Sequence, residues 1–261
     1  MRSEDIERAA ENLLKARKSV AFTGAGISVE SGIPDFRSAA GLWSRYDPME
    51  YGTIEAFRAD PLKVWKMLGE MTSLVVQARP NPAHMGLAEL ERMGKLQVVI
   101  TQNVDGLHQA AGSRHVIEYH GSSATLSCLS CGCVIRSETL SMENLPPRCP
   151  KCGSVMKPDV VFFGEPIPYE AHRMAVEAAR TCDLILVVGT SAAVYPAADI
   201  PMTAKASGAK VIEINLESTP LTDRVSDYTL QGRCGEILPR VVECLRMLMA
   251  GESHEPIKPG Q

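Results

Sequence analysis

The sequence predicts an α/β protein built on a doubly wound, Rossmann-like parallel sheet, with a small module inserted into it and a separate helical subregion. Short strands rich in Val, Ile and Leu alternate with helical stretches, which is typical of a parallel sheet. Small or polar residues follow several strands, where open α/β sheets place ligands. Two Cys-x-x-Cys pairs lie close together between the strands and predict the module.

Composition restricts the class of protein. The 261 residues, 45% hydrophobic and 22% charged, suffice for one large domain with an insertion. A net charge of −4 with scattered basic residues argues against direct nucleic-acid binding. The N-terminus lacks the layout of a signal peptide, and no apolar run approaches the roughly 20 residues of a membrane span. We therefore expect a cytoplasmic protein without membrane contact, in which eight cysteines suggest metal binding rather than disulfides. We also expect a monomer.

The first half of the chain reads as alternating elements. Apolar residues at helical spacing predict a helix over 5–16, followed by a buried strand at Ser19–Phe22. Residues 39–77 contain early prolines and glycines and then a helical run, so we expect a mobile loop followed by helices. Asn81-Pro82 is a helix start, and this helix should reach about Met93.

The second half repeats the alternation. Buried strands are predicted at 96–101, 183–189 and 209–215, with a helical stretch near 197–207. A last strand at 228–230, a closing helix over 236–249 and a flexible tail over 251–261 complete the prediction.

The segment Ser19–Arg37 runs from an apolar strand into glycines, hydroxyls and an acid–base pair. Gly24 and Gly26 allow a sharp turn whose N–H groups, with the N-terminus of a following helix, could face a pyrophosphate; an ordinary tight turn is the alternative. Val29 stands where a dinucleotide fingerprint has Gly or Ala, and no strand ends in an acid about 20 residues on, so hydride transfer fits poorly. Pro34 stiffens a following loop that could close over a nucleotide.

Polar residues also follow the strand that ends at Thr101. Gln102, Asn103 and Asp105 are placed where ligands bind, or else Asn103 and Asp105 only cap the next helix. Gly189-Thr190-Ser191 and Asn215-Leu216-Glu217 follow two further strands. Several such ends meeting at one crevice indicate a nucleotide site.

The paired cysteines have the spacing of a structural zinc site. Two Cys-x-x-Cys knuckles lie on either side of residues 132–148, and four thiolates leave zinc no open position for catalysis. Surface thiols or a redox pair are the alternatives. Cys133 is a poor fifth candidate, and Cys182 and Cys244 lie in apolar surroundings typical of a core. The predicted ligands are Cys128, Cys131, Cys149 and Cys152.

Of six histidines, His120 is the candidate general base. It ends the apolar run Val116-Ile117 where the chain leaves the main sheet for the cysteine module, so it could face a cleft between them. An ordinary pKa near 6.5 suits a base at neutral pH, although a lone histidine is more often structural.

The sequence resembles the sirtuins, the NAD-dependent protein deacylases, in a compact prokaryotic-type form. The resemblance runs from about Val20 to Gly235 and rests on motifs in the family's order. These are residues 24–28, 32–37, 101–108, 120–121, the four cysteines, 163–165 and 189–191.

The resemblance implies a division of the chain. Residues 1–38, 80–121 and 160–250 would form a Rossmann-like NAD-binding domain, 39–79 a cofactor-binding loop with a helical subregion, and 122–159 a zinc-binding module. One structural zinc ion and NAD as co-substrate are implied. The activity implied is deacetylation of acetyl-lysine in proteins or peptides, with transfer of the acetyl group to ADP-ribose and release of nicotinamide.

The resemblance also implies roles for single residues. His120 would be the general base, and Asn103 would orient the ribose and its water. Phosphates would be held by Gly24, Ala25, Gly26, Arg37 and Ser191; the adenosine ribose by Asn215 and Glu217; and the carboxamide end by Ile33, Asp35 and Asp105, with Phe36 shielding the reacting face. Further cofactor contacts are Ser28, Pro34, Trp43, Gln102, Val104, Gly189, Thr190, Leu216 and Cys234, where relatives often have Ala.

The substrate peptide would add as a strand between Val160–Glu165 and Val194–Tyr195, bonding mainly through its main chain. The implied substrate residues are Val160, Phe162, Phe163, Gly164, Glu165 and Val194. In the branch that removes negatively charged acyl groups, a Tyr and an Arg three positions later lie on the helix after the cofactor loop. Here those positions fall on Leu68 and Met71, which predicts a preference for uncharged acyl groups.

Two other classes of function compete with deacetylation at the same site. One is an NAD-sensing module without turnover, and the other is an ADP-ribosyl transferase or NAD hydrolase.

Overall fold

The computed structural model describes residues 3–39, 41–139 and 144–251. The tail predicted over 251–261 lies, apart from Gly251, outside the described residues. The described strands are β1 (Ser19–Thr23), β2 (Val98–Thr101), β3 (Val116–Glu118), β4 (Gly121–Cys128), β5 (Val134–Arg136), β6 (Met156–Val160), β7 (Leu184–Val188), β8 (Lys210–Asn215) and β9 (Tyr228–Gln231).

A six-stranded parallel sheet in the order β3-β2-β1-β7-β8-β9 forms the centre of the protein, which confirms the doubly wound prediction. The chain starts at the middle strand, builds outward to β3, and later returns to build outward from β7. Val20 of β1 lies opposite Val98 on one side and Ile185 on the other. The strand order therefore reverses between β1 and β7, and a crevice opens beyond their carboxyl ends.

Helices cover both faces of this sheet. The described helices are α1 (Ser3–Lys15), α2 (Pro48–Tyr51), α3 (Ile54–Ala59), α4 (Pro61–Gln77), α5 (Pro82–Arg92), α6 (Leu107–Ala110), α7 (Tyr169–Thr181), α8 (Asp199–Ala206) and α9 (Cys234–Ala250). Side chains of β1 alternate between the two cores: Ala21 packs under α1, α5 and α9, whereas Phe22 packs under α7 and α8. None of the described helices is long and apolar enough to cross a membrane.

Helix α5 begins where its cap residue predicts. The Asn81 side chain accepts hydrogen bonds from the N–H groups of Ala83 (2.9 Å) and His84 (3.4 Å), and Pro82 occupies the first helical position. Helix α7 was not predicted, because its buried positions are Ala175, Ala178 and Ala179, and alanines give only a weak apolar period.

A second, antiparallel sheet in the order β5-β4-β6 carries the two Cys-x-x-Cys pairs: Cys128 ends β4, and Cys131, Cys149 and Cys152 lie in the connections between its strands. It shares one apolar core with the helices of the 39–79 segment, in which Phe57 and Trp65 pack with Leu126 and Met156. The Trp65 indole N–H donates to the Met156 carbonyl at 2.9 Å. The inserted module and the helical subregion are therefore packed together as one body beside the main sheet.

Candidate active site

The turn after β1 is packed tightly against the turn after β7. Gly24 N–H donates to the Val188 carbonyl (3.2 Å) and Gly26 N–H to the Gly189 carbonyl (2.8 Å). A Cβ on Gly26 would lie 2.7 Å from the Gly189 oxygen, so glycine is required there. In this structure these two N–H groups thus donate to main-chain carbonyls. Ala25, which is partly exposed, carries the remaining N–H of this turn that could meet a phosphate.

The helix expected after this turn is also absent among the described residues. Two three-residue 3₁₀ helices, Ala25–Ile27 and Val29–Ser31, stand in its place, and Gly32 ends the second with φ of +89°. A 3₁₀ helix of this length has a much smaller dipole than an α-helix. A strong helix dipole is therefore not available to an anion at this turn.

Side chains from the ends of β1, β2 and β7 are joined by hydrogen bonds. Asn103 Nδ2 donates to the Gly24 carbonyl (3.2 Å) and to Ser28 Oγ (3.1 Å), and Ser28 Oγ donates to Asp105 Oδ2 at 2.7 Å. Gln102 Nε2 donates to Thr190 Oγ1 at 2.9 Å. The structure thus brings these predicted residues together at the crevice.

Of Asn103 and Asp105, only Asp105 bonds to the helix that follows, as the capping alternative requires. Asp105 Oδ1 accepts the Leu107 N–H at 3.0 Å and so caps α6, while its other oxygen binds Ser28. Asn103 makes no capping contact among its described hydrogen bonds and is 9% exposed. Its amide is aimed at the β1 turn instead.

His120 follows β3 at the edge of the crevice and has a defined tautomer. Its Nδ1 lies 3.1 Å from the Gln102 carbonyl oxygen. Because a carbonyl oxygen only accepts, Nδ1 carries the proton and Nε2 is left as an acceptor. Burial lowers the pKa of His120 below its ordinary 6.5, partly offset by this hydrogen bond. The ring is therefore neutral at pH 7 and able to take up a proton at Nε2.

A loop after the 3₁₀ helices lies over the crevice. Asp35 Oδ1 accepts the N–H groups of Arg37 (3.2 Å) and Ser38 (2.9 Å), which fixes the turn. Arg37 Nη1 donates to Ser191 Oγ at 3.3 Å, joining this loop to the turn after β7. The Phe36 ring packs 5.5 Å from the Trp43 ring.

The floor beneath this loop is apolar. Ile33 is 8% exposed and packs with Ala78 and Leu107, and Pro34 joins it to Asp35. Met71 of α4 contacts this cluster as well as the core of the second sheet, where Leu68 also packs. Met71 thus lies beside Ile33 of the predicted carboxamide pocket, whereas Leu68 packs in the core of the second sheet.

The predicted adenosine residues lie beyond β8. Asn215 Nδ2 donates to the Thr190 carbonyl at 2.8 Å, while Leu216 is 59% exposed. Buried Glu213 accepts hydrogen bonds from four hydroxyl groups, including those of Thr222 (2.9 Å) and Ser226 (3.1 Å), and so anchors the loop that carries Glu217. Cys234 is 5% exposed at the start of α9.

The predicted peptide segment runs from Val160 to Glu165, next to His120. Val161 N–H donates to the His120 carbonyl at 2.8 Å, and Phe163 exchanges main-chain hydrogen bonds with Gly52 and Ile54. Phe163 is 43% exposed, with its ring 6.4 Å from that of Trp43. On the other side, the Val194 carbonyl accepts the Ala198 N–H at 2.8 Å.

The four predicted metal ligands are brought together. Their sulfur atoms all lie within 4.8 Å of one another, and Cys133 is not part of this group. Gly132 and Gly153 follow the knuckles with positive φ, of +69° and +75°. Tetrahedral zinc with thiolate bonds near 2.3 Å needs sulfur atoms about 3.8 Å apart, so the cluster fits a structural zinc ion. Cys182 and Cys244 are buried, as expected.

Two buried histidines behind the crevice were missed from the sequence. The His84 and His108 rings pack 4.9 Å apart, and His108 Nε2 lies 2.9 Å from Thr23 Oγ1. His84 Nδ1 accepts the Asn81 N–H, which leaves its Nε2 proton facing Ser28 Oγ at 3.5 Å. Burial lowers the pKa of His84 to about 4 and that of His108 to about 3. The sequence signals that point to them are the position of His84 in the capping turn of α5 and the position of His108 in the 101–108 motif.

Comparison with known proteins identifies the family. The family model described as "Sir2 family" matches residues 24–196. This chain belongs to the Sir2 family. The NAD-dependent protein deacylase 2 of Pyrobaculum aerophilum is 53% identical over 234 residues, which cover 90% of this chain and 93% of the relative.

Two solved structures of Sir2 proteins superpose on nearly the whole fold. A Sir2 homologue in complex with NAD has a TM-score of 0.87 at 44% identity, covering 93% of this chain and 94% of the other. A Sir2 variant with a deacetylated p53 peptide and 3′-O-acetyl ADP-ribose has a TM-score of 0.87 at 36% identity, covering 95% and 99%. Both the sheet order and the inserted cysteine module described above are thus part of a Sir2 fold.

Proposed function

We propose that this protein is an NAD-dependent protein lysine deacetylase that transfers the acetyl group of acetyl-lysine to ADP-ribose and releases nicotinamide. One observation carries the proposal: the Gln102 carbonyl holds the proton of His120 on Nδ1 and leaves Nε2 as an acceptor, in a residue whose own carbonyl binds Val161 of the 160–165 segment. NAD would supply the ribose carbon that the acetyl oxygen attacks and the hydroxyl that receives the acetyl group. The Sir2 structures solved with NAD, or with a peptide and acetyl ADP-ribose, support this assignment.

The residues of the crevice would divide the work as follows. His120 Nε2 would take a proton from a ribose hydroxyl, and Asn103 would hold the ribose and its attacking water. Phe36 and Trp43 would exclude solvent from the reacting face. The proposed phosphate contacts are Gly24, Ala25, Gly26, Arg37, Gly189, Thr190 and Ser191. The proposed contacts to the rest of NAD are Ser28, Ile33, Pro34, Asp35, Gln102, Val104, Asp105, Asn215, Leu216, Glu217 and Cys234.

We further propose that the peptide binds as a strand along Val160–Glu165 and Val194, and that Leu68 and Met71 line the acyl end of its lysine. The domain division given above, one bound zinc ion and a monomer in the cytoplasm complete the proposal.

One experiment separates this function from its rivals. Protein, NAD and an acetyl-lysine peptide are incubated, and both peptide mass and nicotinamide are followed. We expect one nicotinamide for each acetyl group lost. Nicotinamide without deacetylation would indicate an NAD hydrolase, label transfer to protein a transferase, and neither event a sensor.

A further inference from the structure

Lys157 of β6 is a buried cation that none of the roles above uses. Its side chain is 8% exposed, yet each of its three ammonium protons has an acceptor within reach. Nζ lies 3.0 Å from the Pro158 carbonyl, 2.8 Å from the Val160 carbonyl and 3.0 Å from Glu165 Oε2. The charge is therefore paired and fully hydrogen-bonded inside the protein.

The same Glu165 oxygen closes a turn. Glu165 Oε2 accepts the Phe162 N–H at 2.9 Å, and Glu165 N–H donates back to the Phe162 carbonyl at 3.0 Å. Gly164, at φ of +87°, allows the tight reversal between them. The Glu165 carboxylate thus points inward, at Lys157 and at its own turn.

The Lys157–Glu165 pair lies directly beneath the segment proposed to bind peptide. Lys157 Nζ is 4.9 Å from the centre of the Phe162 ring, which packs on Phe57 in the core shared by the second sheet and the helical subregion. Phe163, the next residue, is exposed and main-chain bonded to Gly52 and Ile54. A shift of the pair would therefore move the peptide-facing main chain.

A buried ion pair seldom adds net stability over apolar residues of the same volume, because both charges lose their water. We propose that Lys157 and Glu165 are positioning residues that hold 160–165 in the conformation that accepts an acyl-lysine peptide. Glu165 acts through Lys157 and its own turn, and the peptide meets only its main chain. This inference rests on the proposed deacetylase function.

The test compares steady-state constants of the zinc-loaded full chain. Lys157→Met keeps the apolar stem and removes the charge. We expect its KM for an acetyl-lysine peptide to rise at least about 10-fold, with KM for NAD within about 2-fold of the wild-type value. Glu165→Gln keeps an oxygen for the Phe162 N–H, so its peptide KM should rise less than that of Lys157→Met. Lys157→Arg keeps the positive charge, so its peptide KM should lie between those of the wild type and Lys157→Met.

The matched control is Lys205→Met, which breaks an exposed pair with Asp227 (2.8 Å) on another part of the surface. It should leave both KM values unchanged. Suppose that the wild type is active but that Lys157→Met leaves the peptide KM unchanged or raises both KM values equally. The positioning role is then wrong, while the proposed deacetylase function stands. A wild type that does not deacetylate overturns the proposed function and this inference with it. If Lys157→Met does not fold, Glu165→Gln decides by the same criteria.

Discussion

His120 can act as a base because the Gln102 carbonyl determines which of its nitrogens carries the proton. That carbonyl belongs to the residue after β2, so the end of one strand orients the proposed base at the end of the neighbouring strand. Fixing the ring before substrate binds removes a reorientation step from the reaction.

Removing the His120 ring should separate chemistry from binding. We expect His120→Ala to lower kcat for deacetylation at least about 100-fold and to leave the Kd for NAD within a few fold, because the base acts on bound reactants. His115→Ala is the matched control, since the His115 side chain is exposed and its described hydrogen bond is to Glu91, a residue with no proposed role. More than about a tenth of wild-type activity in His120→Ala would contradict the role.

The pH dependence of the rate follows from the same ring. Only neutral His120 accepts a proton, and burial holds its pKa below 6.5. The rate constant kcat/KM should therefore be flat near neutral pH and fall only as the pH drops below the His120 pKa. A fall that begins above pH 7 would contradict this assignment.

His84 and His108 make stability pH-dependent in a separate way. Their folded-state pKa values, about 4 and about 3, lie below the ordinary 6.5, so the unfolded chain binds more protons between these values. The unfolding free energy should be full above pH 6.5 and fall as the pH drops, by roughly 1.4 kcal/mol per pH unit for each histidine. Denaturant unfolding of wild type and His108→Gln from pH 7 to 4 should show a shallower slope in the variant. Equal slopes would contradict the buried neutral state.

At the scale of single elements, α4 carries Leu68 and Met71, which we propose to line the acyl end of the substrate lysine. Leu68 and Met71 offer no charge, and Arg45, near α4, is already paired with Glu70 at 2.9 Å. A succinyl carboxylate here would lose its water without gaining a partner. We expect kcat/KM for acetyl-lysine to exceed that for succinyl-lysine on the same peptide by about 100-fold. The double variant Leu68→Tyr with Met71→Arg should reduce this difference in kcat/KM between the two peptides. Similar kcat/KM values for the two peptides in the wild type would mean that the acyl pocket lies elsewhere.

The elements also show which structural features can be predicted from a local sequence signal. The start of α5 could be predicted because Asn81 and Pro82 act within one turn of the helix. The close packing of Gly24 and Gly26 against the turn after β7 could not be predicted. It depends on Gly189, which is distant in sequence and becomes adjacent only when β1 and β7 pair. The four cysteines were predictable because their spacing is itself the requirement for zinc, whereas the buried Lys157 has no local signal.

At the scale of the whole molecule, the shared core couples the cysteine module to the cofactor loop. Cys128 and Cys149 pack in the same cluster as Val64 and Trp65 of α4. Removing zinc should therefore raise KM for NAD as well as KM for peptide, and lower Tm by about 10 °C or more. Freshly purified protein should contain one zinc ion per chain, and Cys133→Ser should retain it. Absence of zinc in wild type, or unchanged constants after chelation, would contradict this coupling.

The strand order has a consequence for synthesis. The middle strand β1 emerges first, but its neighbour β7 follows only at Leu184–Val188, after most of the chain has been made. Until then one edge of β1, whose five residues are all buried in the folded protein, has no partner and can pair with other chains. Because the crevice is formed by the turns after both β1 and β7, a nascent or truncated chain that ends before β7 lacks the crevice, and we expect it to aggregate more readily than a chain that includes β7.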